Sequence, residues 1–199
     1  MGDTRAQKGV ERRKAILDAA ASIIGERGYH GFGIQELAQR CELTKAGLLH
    51  HFGSKDQLLI AVLRDRDRKD EEAIQFALER AEMRDDLVLS LAAVRRCLGA
   101  IVQRNATQPE LVRLYAMIRA EALSPDHPAH DYFNGREAGV LELFADMVAP
   151  HCTDPRSYAR QLVATMIGLE LQWLREDIGF DLAAEWERQV SRILPPPSK

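Results

Sequence analysis

The sequence predicts an all-α protein. Apolar residues recur every three or four positions along several long segments, as they do on one face of a helix. Glycine and proline are sparse inside those segments, and aromatic residues make up only 6% of the chain, which also favours helices over strands. The 199 residues are enough for one large domain or two small ones with a buried core.

Helices are expected in order along the chain. The first is predicted over residues 10–27, after a disordered lead-in of residues 1–9, and Gly28 ends it. A basic cluster near its start either contacts a nucleic-acid backbone or is simply solvated: Arg5, Lys8, Arg12 and Arg13. Proline positions and apolar spacing place the later helices at 55–84, 85–104, 109–123, 132–148, 156–176 and 181–194, with an extended proline tail at 195–197.

Residues 35–59 carry the most specific pattern in the chain. The apolar residues of a first short helix share one face, and Thr44 stands where it can cap a second helix. Leu48 and Phe52 form the apolar face of that second helix. A helix of about seven residues is not stable alone, so the preceding helix must hold it. This is a helix-turn-helix arrangement, in which the second helix is presented to the major groove of DNA.

A third helix start follows directly. Ser54 and Gln57 have the spacing of a capping box, with Ser54 at the cap and Gln57 at the third helical position. Lys55 therefore lies beside unpaired backbone N–H groups at the positive end of a helix dipole. That combination predicts a phosphate-binding position.

Residues 43–59 (LTKAGLLHHFGSKDQLL) resemble the signature of TetR-type (tetracycline-repressor-like) transcriptional regulators, whose usual form is V-S-K-G-T-L-Y-x-H-F-x-S-K-E-x-L. The similarity extends upstream through residues 16–20 and 28–29, so that it covers about the first third of the chain. Beyond that it depends on length and helical layout. A bare helix-turn-helix match is a weak signal, whereas a match from the first helix to the cap of the fourth is specific.

Three positions depart from the usual family pattern. Glu42 replaces the glycine of the turn between the two helices. A left-handed backbone is possible at a non-glycine residue but costs on the order of 1 kcal/mol, so the turn either accepts this cost or takes a different shape. Gly33 removes a hydroxyl group that often reaches phosphate in this family. Leu49 replaces a tyrosine; it cannot hydrogen-bond a phosphate, but it can touch a thymine methyl group.

The resemblance implies a DNA-binding head over residues 1–54 and a ligand-binding and dimerisation body over residues 55–199. The expected function is ligand-responsive regulation of transcription, with repression as the expected sense. A homodimer would bind a palindromic double-stranded DNA operator, and a small, largely apolar effector would release it. The residues expected to face bases or the adjacent backbone are Lys45, Ala46, Gly47, Leu49 and His50. Those expected mainly to hold phosphates are Thr44, His51 and Lys55.

The N-terminal part of the chain is basic and the remainder is acidic, as expected for a DNA-binding head on a larger body. Residues 1–60 carry nine basic and seven acidic side chains, a net charge of +2, which leaves −5 for the remainder of a chain whose total is −3. The excess is small, so charge alone adds little to the sequence motif.

The body is expected to supply a ligand cavity and a subunit interface. The predicted helix 156–176 is apolar on more than one face and needs two partners, one of which is expected to be the same helix of a second subunit; a merely buried helix in a monomer is the alternative. The interface candidates are Leu162, Ile167, Leu171, Leu174, Leu182, Trp186, Val190 and Ile193. Cavity candidates, each of which could equally be plain core, are Leu98, Ile101, Val102, Leu114, Tyr115, Met117, Ile118, Glu121, Phe133, Phe144, Met147, Met166, Glu170 and Trp173.

Two other classes of function stay open. One is a helical sensor whose head binds protein rather than DNA, and the other is a helical enzyme that uses Glu121 or Glu170. The sequence contains no glycine-rich phosphate loop, no G-x-S-x-G and no H-E-x-x-H, so an enzyme is not expected, nor is a cofactor. His127 and His130 lack a supporting ligand cluster and are expected to bond to neighbouring helices rather than to a metal.

The cysteine pattern and hydropathy favour a cytoplasmic protein. The three cysteines, an odd number without C-x-x-C spacing, are expected to be reduced thiols: Cys41, Cys97 and Cys152. No apolar run is long enough to span a membrane, and the polar N-terminus does not resemble a secretory signal.

Overall fold

The computed structural model describes residues 3–82 and 90–195, apart from the side chains of residues 3–6, 73, 77, 78 and 80–82. Within these ranges the chain is built from helices and contains no β-strand, which confirms the predicted fold class. The helices are α1 (Asp3–Gly31), α2 (Ile34–Arg40), α3 (Lys45–Phe52), α4 (Lys55–Glu82), α5 (Leu91–Ala106), α6 (Pro109–Glu121), α7 (His130–Val148), a 3-10 turn (Ala149–His151), α8 (Pro155–Arg175) and α9 (Leu182–Ile193).

The helix boundaries follow the sequence prediction closely, with one error. Helix α1 begins at Asp3, so a disordered lead-in was wrong for residues 3–9. The predicted break at Gly28 is present, with φ 69° and ψ −179°. The start predicted for the next helix at residue 85 lies outside the described residues, as do the last two prolines of the tail; α5 is described from Leu91, capped by Ser90.

Two compact units divide the chain, and the first contains the helix-turn-helix. It consists of Met1–Arg68 together with Glu110–Phe133, so that α6 belongs to the same unit as α1 to α3 and the first half of α4. Leu114 and Ile118 of α6 are buried in one core with the apolar faces of α1 and α4. At Gly25 the helices are so close that an added Cβ would lie 3.0 Å from the carbonyl oxygen of Glu110. The predicted functional boundary after residue 54 stays a prediction.

Buried polar contacts hold α4 within this first unit. The guanidinium of Arg66 donates to the carbonyl oxygen of Leu111 at 2.8 Å and lies 4.1 Å from the ring centroid of Tyr115. The hydroxyl of Tyr115 donates to Asp67 at 2.9 Å, and Tyr132 donates to the other oxygen of the same carboxylate. Burial, assisted by these neighbours, raises the pKa of Tyr132. Helix α4 is therefore tied to α6 and to the start of α7 by charge-assisted bonds.

The second unit consists of Lys69–Pro109 and Asn134–Lys199. Helix α9 packs against both α5 and α8, with Leu182, Trp186 and Val190 buried. Across the part of the chain that the structure describes, no helix combines the length and the apolar character needed to cross a membrane.

Candidate nucleic-acid interface

The second helix of the motif, α3, is fixed at its start by a side-chain cap. The amide N–H of Gly47 donates to Oγ1 of Thr44 at 3.0 Å, as the sequence predicts. Leu48 and Phe52 are buried in the core of the unit. Because these two residues lie four positions apart on one face, the opposite face of the helix must point outward.

Most of the residues predicted to meet DNA on and beside α3 are exposed. Thr44, Lys45, Ala46, His50 and His51 are exposed. Gly47 and Leu49 are half-buried. The structure thus places seven of the eight predicted residues on α3 and its cap, five of them exposed, while the role of each residue towards bases or phosphate stays a prediction.

The turn between α2 and α3 keeps a left-handed residue despite the absence of glycine. Glu42 has φ 53°, so the turn takes the left-handed backbone and not a different shape. Its N–H donates to the carbonyl of Gln39 at 3.1 Å, and the N–H of Leu43 donates to the carbonyl of Ala38 at 2.8 Å. These two bonds form a Schellman motif, and they offset the steric cost of a side chain at Glu42.

The start of α4 is capped in part as predicted. The N–H of Gln57 donates to Oγ of Ser54 at 3.0 Å, whereas the N–H of Ser54 donates to the carbonyl of Phe52. Gly53 precedes the cap with φ 78°, and an added Cβ there would lie 1.9 Å from Oε1 of Gln57. The glycine therefore serves both the left-handed backbone and the close approach of Gln57.

Lys55 is less available for phosphate than its position in the sequence implies. Its ammonium lies 4.3 Å from the ring centroid of Tyr29 and 5.4 Å from that of Phe32, within the range of cation–π attraction. Burial lowers the pKa of Lys55, against the opposite effect of Asp56 and Glu121. The side chain thus has aromatic contacts inside its own unit, and its phosphate role stays a prediction.

Arg13 makes a contact that the sequence did not predict. Its guanidinium donates to the carbonyl oxygen of His51 at 3.1 Å and lies 4.4 Å from the ring centroid of Phe52. Arg13 and His51 are 38 positions apart in the chain, too far for any periodic pattern to indicate the contact. Lys8 and Arg12 of the same basic cluster are exposed, and the side chain of Arg5 lies outside the described residues.

Glu121 connects α6 to the broken end of α1. One carboxylate oxygen accepts a hydrogen bond from the N–H of Tyr29 at 3.0 Å and lies 3.5 Å from Nε2 of His127. The other would lie 2.1 Å from a Cβ at Gly28. Tyr29 in turn donates to Asp56. These five residues form one cluster, which we call the Glu121 junction: Gly28, Tyr29, Asp56, Glu121 and His127.

His127 in the α6–α7 loop and His130 at the start of α7 both bond to backbone groups near the end of α6 and the start of α7. Nδ1 of His127 accepts from the N–H of Ala129 at 3.1 Å, and Nδ1 of His130 lies 2.8 Å from the carbonyl of Ala122. His127 is buried, and desolvation lowers its pKa, partly opposed by Glu121. Among the described residues no cluster of three or more metal-ligating side chains is present, and the three cysteines are free thiols.

The predicted cavity residues are divided between the two units. Six lie in the first unit, where most of them are core: Leu114, Tyr115, Met117, Ile118, Glu121 and Phe133. The other eight lie in the second unit: Leu98, Ile101, Val102, Phe144, Met147, Met166, Glu170 and Trp173. Glu121 already has partners in its junction, and Glu170 accepts a hydrogen bond from the amide of Asn105 at 2.6 Å. Which of them line an effector cavity stays a prediction.

Each unit also carries an open groove outside the predicted set. One of about 680 Å³ lies in the first unit between α1, the end of α3 and α4, lined by Arg13, Phe52 and Arg64 among others. The second, of about 470 Å³, lies between α8 and α9, with Thr165, Gly168 and Gln189 in its lining.

The predicted interface residues separate into a buried and an accessible set. Within the second unit the chain itself buries four of them: Leu162, Leu182, Trp186 and Val190. The remaining four keep surface that a second subunit could cover: Ile167, Leu171, Leu174 and Ile193. The dimer stays a prediction, and these accessible residues are the ones that can contribute apolar area to it.

Comparison with known proteins identifies the relatives of the chain. Residues 16–62 match the model of "Bacterial regulatory proteins, tetR family". The A-factor receptor protein of Streptomyces griseus is 26% identical over 190 residues, which is 94% of this chain and 64% of the relative. The HTH-type transcriptional regulator BetI of Rhizobium meliloti (strain 1021) is 36% identical over 118 residues, 56% of this chain and 52% of the relative. The chain thus spans about half to two thirds of the length of these two relatives.

Solved structures share the fold over nearly the whole chain. AibR in complex with isovaleryl coenzyme A and operator DNA has a TM-score of 0.70 and 26% identity, covering 93% of this chain and 99% of AibR. FadR from Bacillus subtilis in complex with stearoyl-CoA has a TM-score of 0.74 and covers 90% of this chain and 96% of FadR. At 16% identity the likeness to FadR concerns the fold alone.

Proposed function

We propose that this chain, which belongs to the tetR family of bacterial regulatory proteins, is a ligand-responsive DNA-binding regulator of transcription, and more specifically a repressor. The observation that carries the proposal is α3, a short capped helix that buries Leu48 and Phe52 and exposes Lys45 in its first turn and His50 on the face opposite the buried pair. AibR, a relative that covers nearly the whole chain, has been solved with operator DNA. Regulators of this family are not enzymes, so the enzymatic alternative falls away.

On this proposal the exposed face of α3 enters the major groove. Lys45 and His50 would face base edges, together with Ala46, Gly47 and Leu49, whose small or apolar side chains suit close approach and thymine methyl groups. Three further residues, Thr44, His51 and Lys55, would mainly fix register on the phosphates. The hydroxyl of Thr44 accepts the bond that caps α3 and still has its own proton to donate to a phosphate oxygen.

The regulator would act as a homodimer on a palindromic operator. A two-fold axis places two copies of α3 in half-sites about one helical turn (~34 Å) or a multiple apart. Support for the interface comes from α8, where Ile167 and Leu174 are only half-buried and Leu171 is exposed. Large apolar side chains on one helix face are normally covered by a partner.

The effector would be a small, largely apolar molecule that favours one conformation of the dimer by differential affinity. Isovaleryl coenzyme A, which AibR binds, is the first compound to test. Helix α4 continues along the chain from the first unit into the second, and effector binding in the body would act on the head through this helix.

Two lysine variants test the DNA proposal. A DNA duplex that the protein binds is first selected from a random pool, and a second duplex with the same bases in scrambled order serves as the reference. The full-length protein is then titrated with each duplex at two salt concentrations. Lys45→Ala is expected to bring the two affinities closer together by about 5- to 100-fold, because a base contact gives about 1–3 kcal/mol of discrimination. Lys55→Ala is expected to weaken both equally and to reduce the salt slope by about one.

The same titration separates the alternatives. If Lys55→Ala leaves affinity and salt slope unchanged, the aromatic contacts of Lys55 are its whole role and the phosphate assignment is wrong. If the unmodified protein binds both duplexes equally weakly, with and without candidate effectors, the head is a protein-binding surface instead.

A further inference from the structure

Helix α3 is too short to hold its own shape. It has eight residues, about two turns, and isolated helices of this length are unstable in water. Its N-terminus is fixed by Thr44, so the remaining source of disorder is the last turn. That turn contains His50 and His51, both on the exposed side.

Three of the last four carbonyl groups of α3 have identified hydrogen-bond donors. A helix leaves its last four carbonyls without intrahelical donors. That of Leu49 accepts from the N–H of Gly53 at 2.6 Å, and that of Phe52 from the N–H of Ser54 at 3.0 Å. The carbonyl of His51 accepts from the guanidinium of Arg13 at 3.1 Å. Arg13 is thus a side chain from another helix that bonds to a carbonyl at this end of α3.

The position of Arg13 combines three favourable interactions. It donates to the His51 carbonyl, it is a cation at the negative end of the α3 dipole, and its guanidinium lies 4.4 Å from the ring centroid of Phe52. Phe52 is itself buried in the core. Arg13 therefore fixes the last turn of α3 against α1 at both a backbone atom and a ring.

We propose that Arg13 is a positioning residue for sequence readout: by holding the last turn of α3 it keeps His50 in place against the bases, without itself contacting DNA. This inference rests on the proposed function. It assigns Arg13 a role different from phosphate binding, the other role open to a basic residue at the start of a DNA-binding domain. Loss of a positioning residue weakens binding to the selected sequence more than to a scrambled one and leaves the salt dependence unchanged. Loss of a phosphate contact weakens binding to both equally and lowers the salt dependence.

The experiment compares Arg13→Met, Arg13→Lys and Arg12→Met in the full-length protein. Methionine keeps the length of the side chain but removes the charge and the donor. Arg12 is the neighbour on the same helix and, like Arg13, is exposed. Affinities are measured for the selected and the scrambled duplex across salt concentrations. In parallel, amide hydrogen exchange is followed in peptides that cover residues 48–53 and, as an internal reference, α2.

Arg13→Met is expected to weaken binding to the selected duplex at least tenfold more than binding to the scrambled one, with an unchanged salt slope. Exchange in residues 48–53 is expected to accelerate about tenfold, with α2 unaffected. Arg13→Lys, which can still donate to the carbonyl, is expected to recover part of both effects. Arg12→Met is expected to change the affinities for both duplexes by the same factor and to leave exchange in residues 48–53 unchanged.

Two results would overturn the inference. One is an equal loss on both duplexes with a salt slope lower by about 0.9, the signature of a lost phosphate contact. The other is unchanged exchange at residues 48–53 in Arg13→Met. If the unmodified protein does not discriminate between the duplexes, the proposed function fails, whereas the exchange measurement still decides whether Arg13 holds α3.

Discussion

Replacing Gly28 by alanine is expected to destabilise the protein by several kcal/mol, because this glycine serves two purposes in the Glu121 junction. Its backbone, at φ 69° and ψ −179°, lies in a region populated almost only by glycine, and forcing another residue there costs about 1–3 kcal/mol. An added Cβ would also lie 2.1 Å from Oε1 of Glu121. The carboxylate must therefore move.

Movement of the carboxylate breaks a second interaction. Glu121 would lose the 3.0 Å hydrogen bond from the N–H of Tyr29, and a bond to a charged group contributes about 1.5–3 kcal/mol. Alanine also lowers the conformational entropy of the unfolded chain relative to glycine, which stabilises the folded state by about 0.4–1 kcal/mol. The expected net loss for Gly28→Ala is about 2–5 kcal/mol.

Urea unfolding at a fixed protein concentration measures this loss. With a slope of about 1–3 kcal/mol/M, a loss of about 3 kcal/mol lowers the midpoint by about 1–3 M. Gly99→Ala is the matched control. An added Cβ at Gly99, inside α5, has no heavy atom within 4 Å, so alanine there should stabilise the protein by up to about 1 kcal/mol.

A double variant separates the two contributions. Glu121→Ala removes the clash partner, so Gly28→Ala combined with Glu121→Ala should cost less than the two single losses together. The backbone cost at Gly28 alone should remain. A loss below about 1 kcal/mol for Gly28→Ala, or strict additivity in the double variant, would refute the reasoning.

Three further predictions concern the turn, the buried histidine and the subunit interface. Glu42→Gly should raise the unfolding free energy by up to about 1 kcal/mol by relieving the left-handed side chain, whereas Glu42→Ala should not. The lowered pKa of His127 means that the unfolded chain binds more protons, so stability should fall as pH decreases below about 6.5, by at most about 1.4 kcal/mol per pH unit. His127→Asn should flatten that dependence in urea unfolding between pH 5 and 7, and an unchanged slope would contradict it. Leu171→Glu should shift the proposed dimer towards monomer in sedimentation. Leu143→Glu, which replaces a leucine of α7 with the same 39% exposure, should not. Equal effects of the two variants would show that Leu171 is not part of the interface.

Local features of the fold could be predicted from the sequence because their causes are local. The caps at Thr44 and Ser54 each bond to a residue three positions later, and the break at Gly28 follows from the conformational freedom of one residue. Apolar spacing of three and four residues is enough to place the helices. The same spacing identified the buried face of α3, and with it the exposed face.

Long-range features could not be predicted in this way. The contacts of Arg13 with His51 and of Glu121 with Tyr29 join residues 38 and 92 positions apart. Periodicity gives an apolar stripe but not the helix that covers it, which is why Trp186, predicted for a subunit interface, is buried in its own unit. The shape of the turn at Glu42 stayed open in the sequence, because residue type gives the cost of the left-handed backbone but not the backbone bonds of the Schellman motif that offset it.

The central claim is that the exposed face of α3 reads a DNA sequence, and selection of bound duplexes from a random pool tests it most directly. The full-length protein is incubated with the pool at two salt concentrations, with and without isovaleryl coenzyme A. The account predicts enrichment of a palindrome whose half-sites are about one helical turn or a multiple apart, with the same palindrome enriched at both salt concentrations. Binding that vanishes with salt and enriches no sequence under any of these conditions would contradict it.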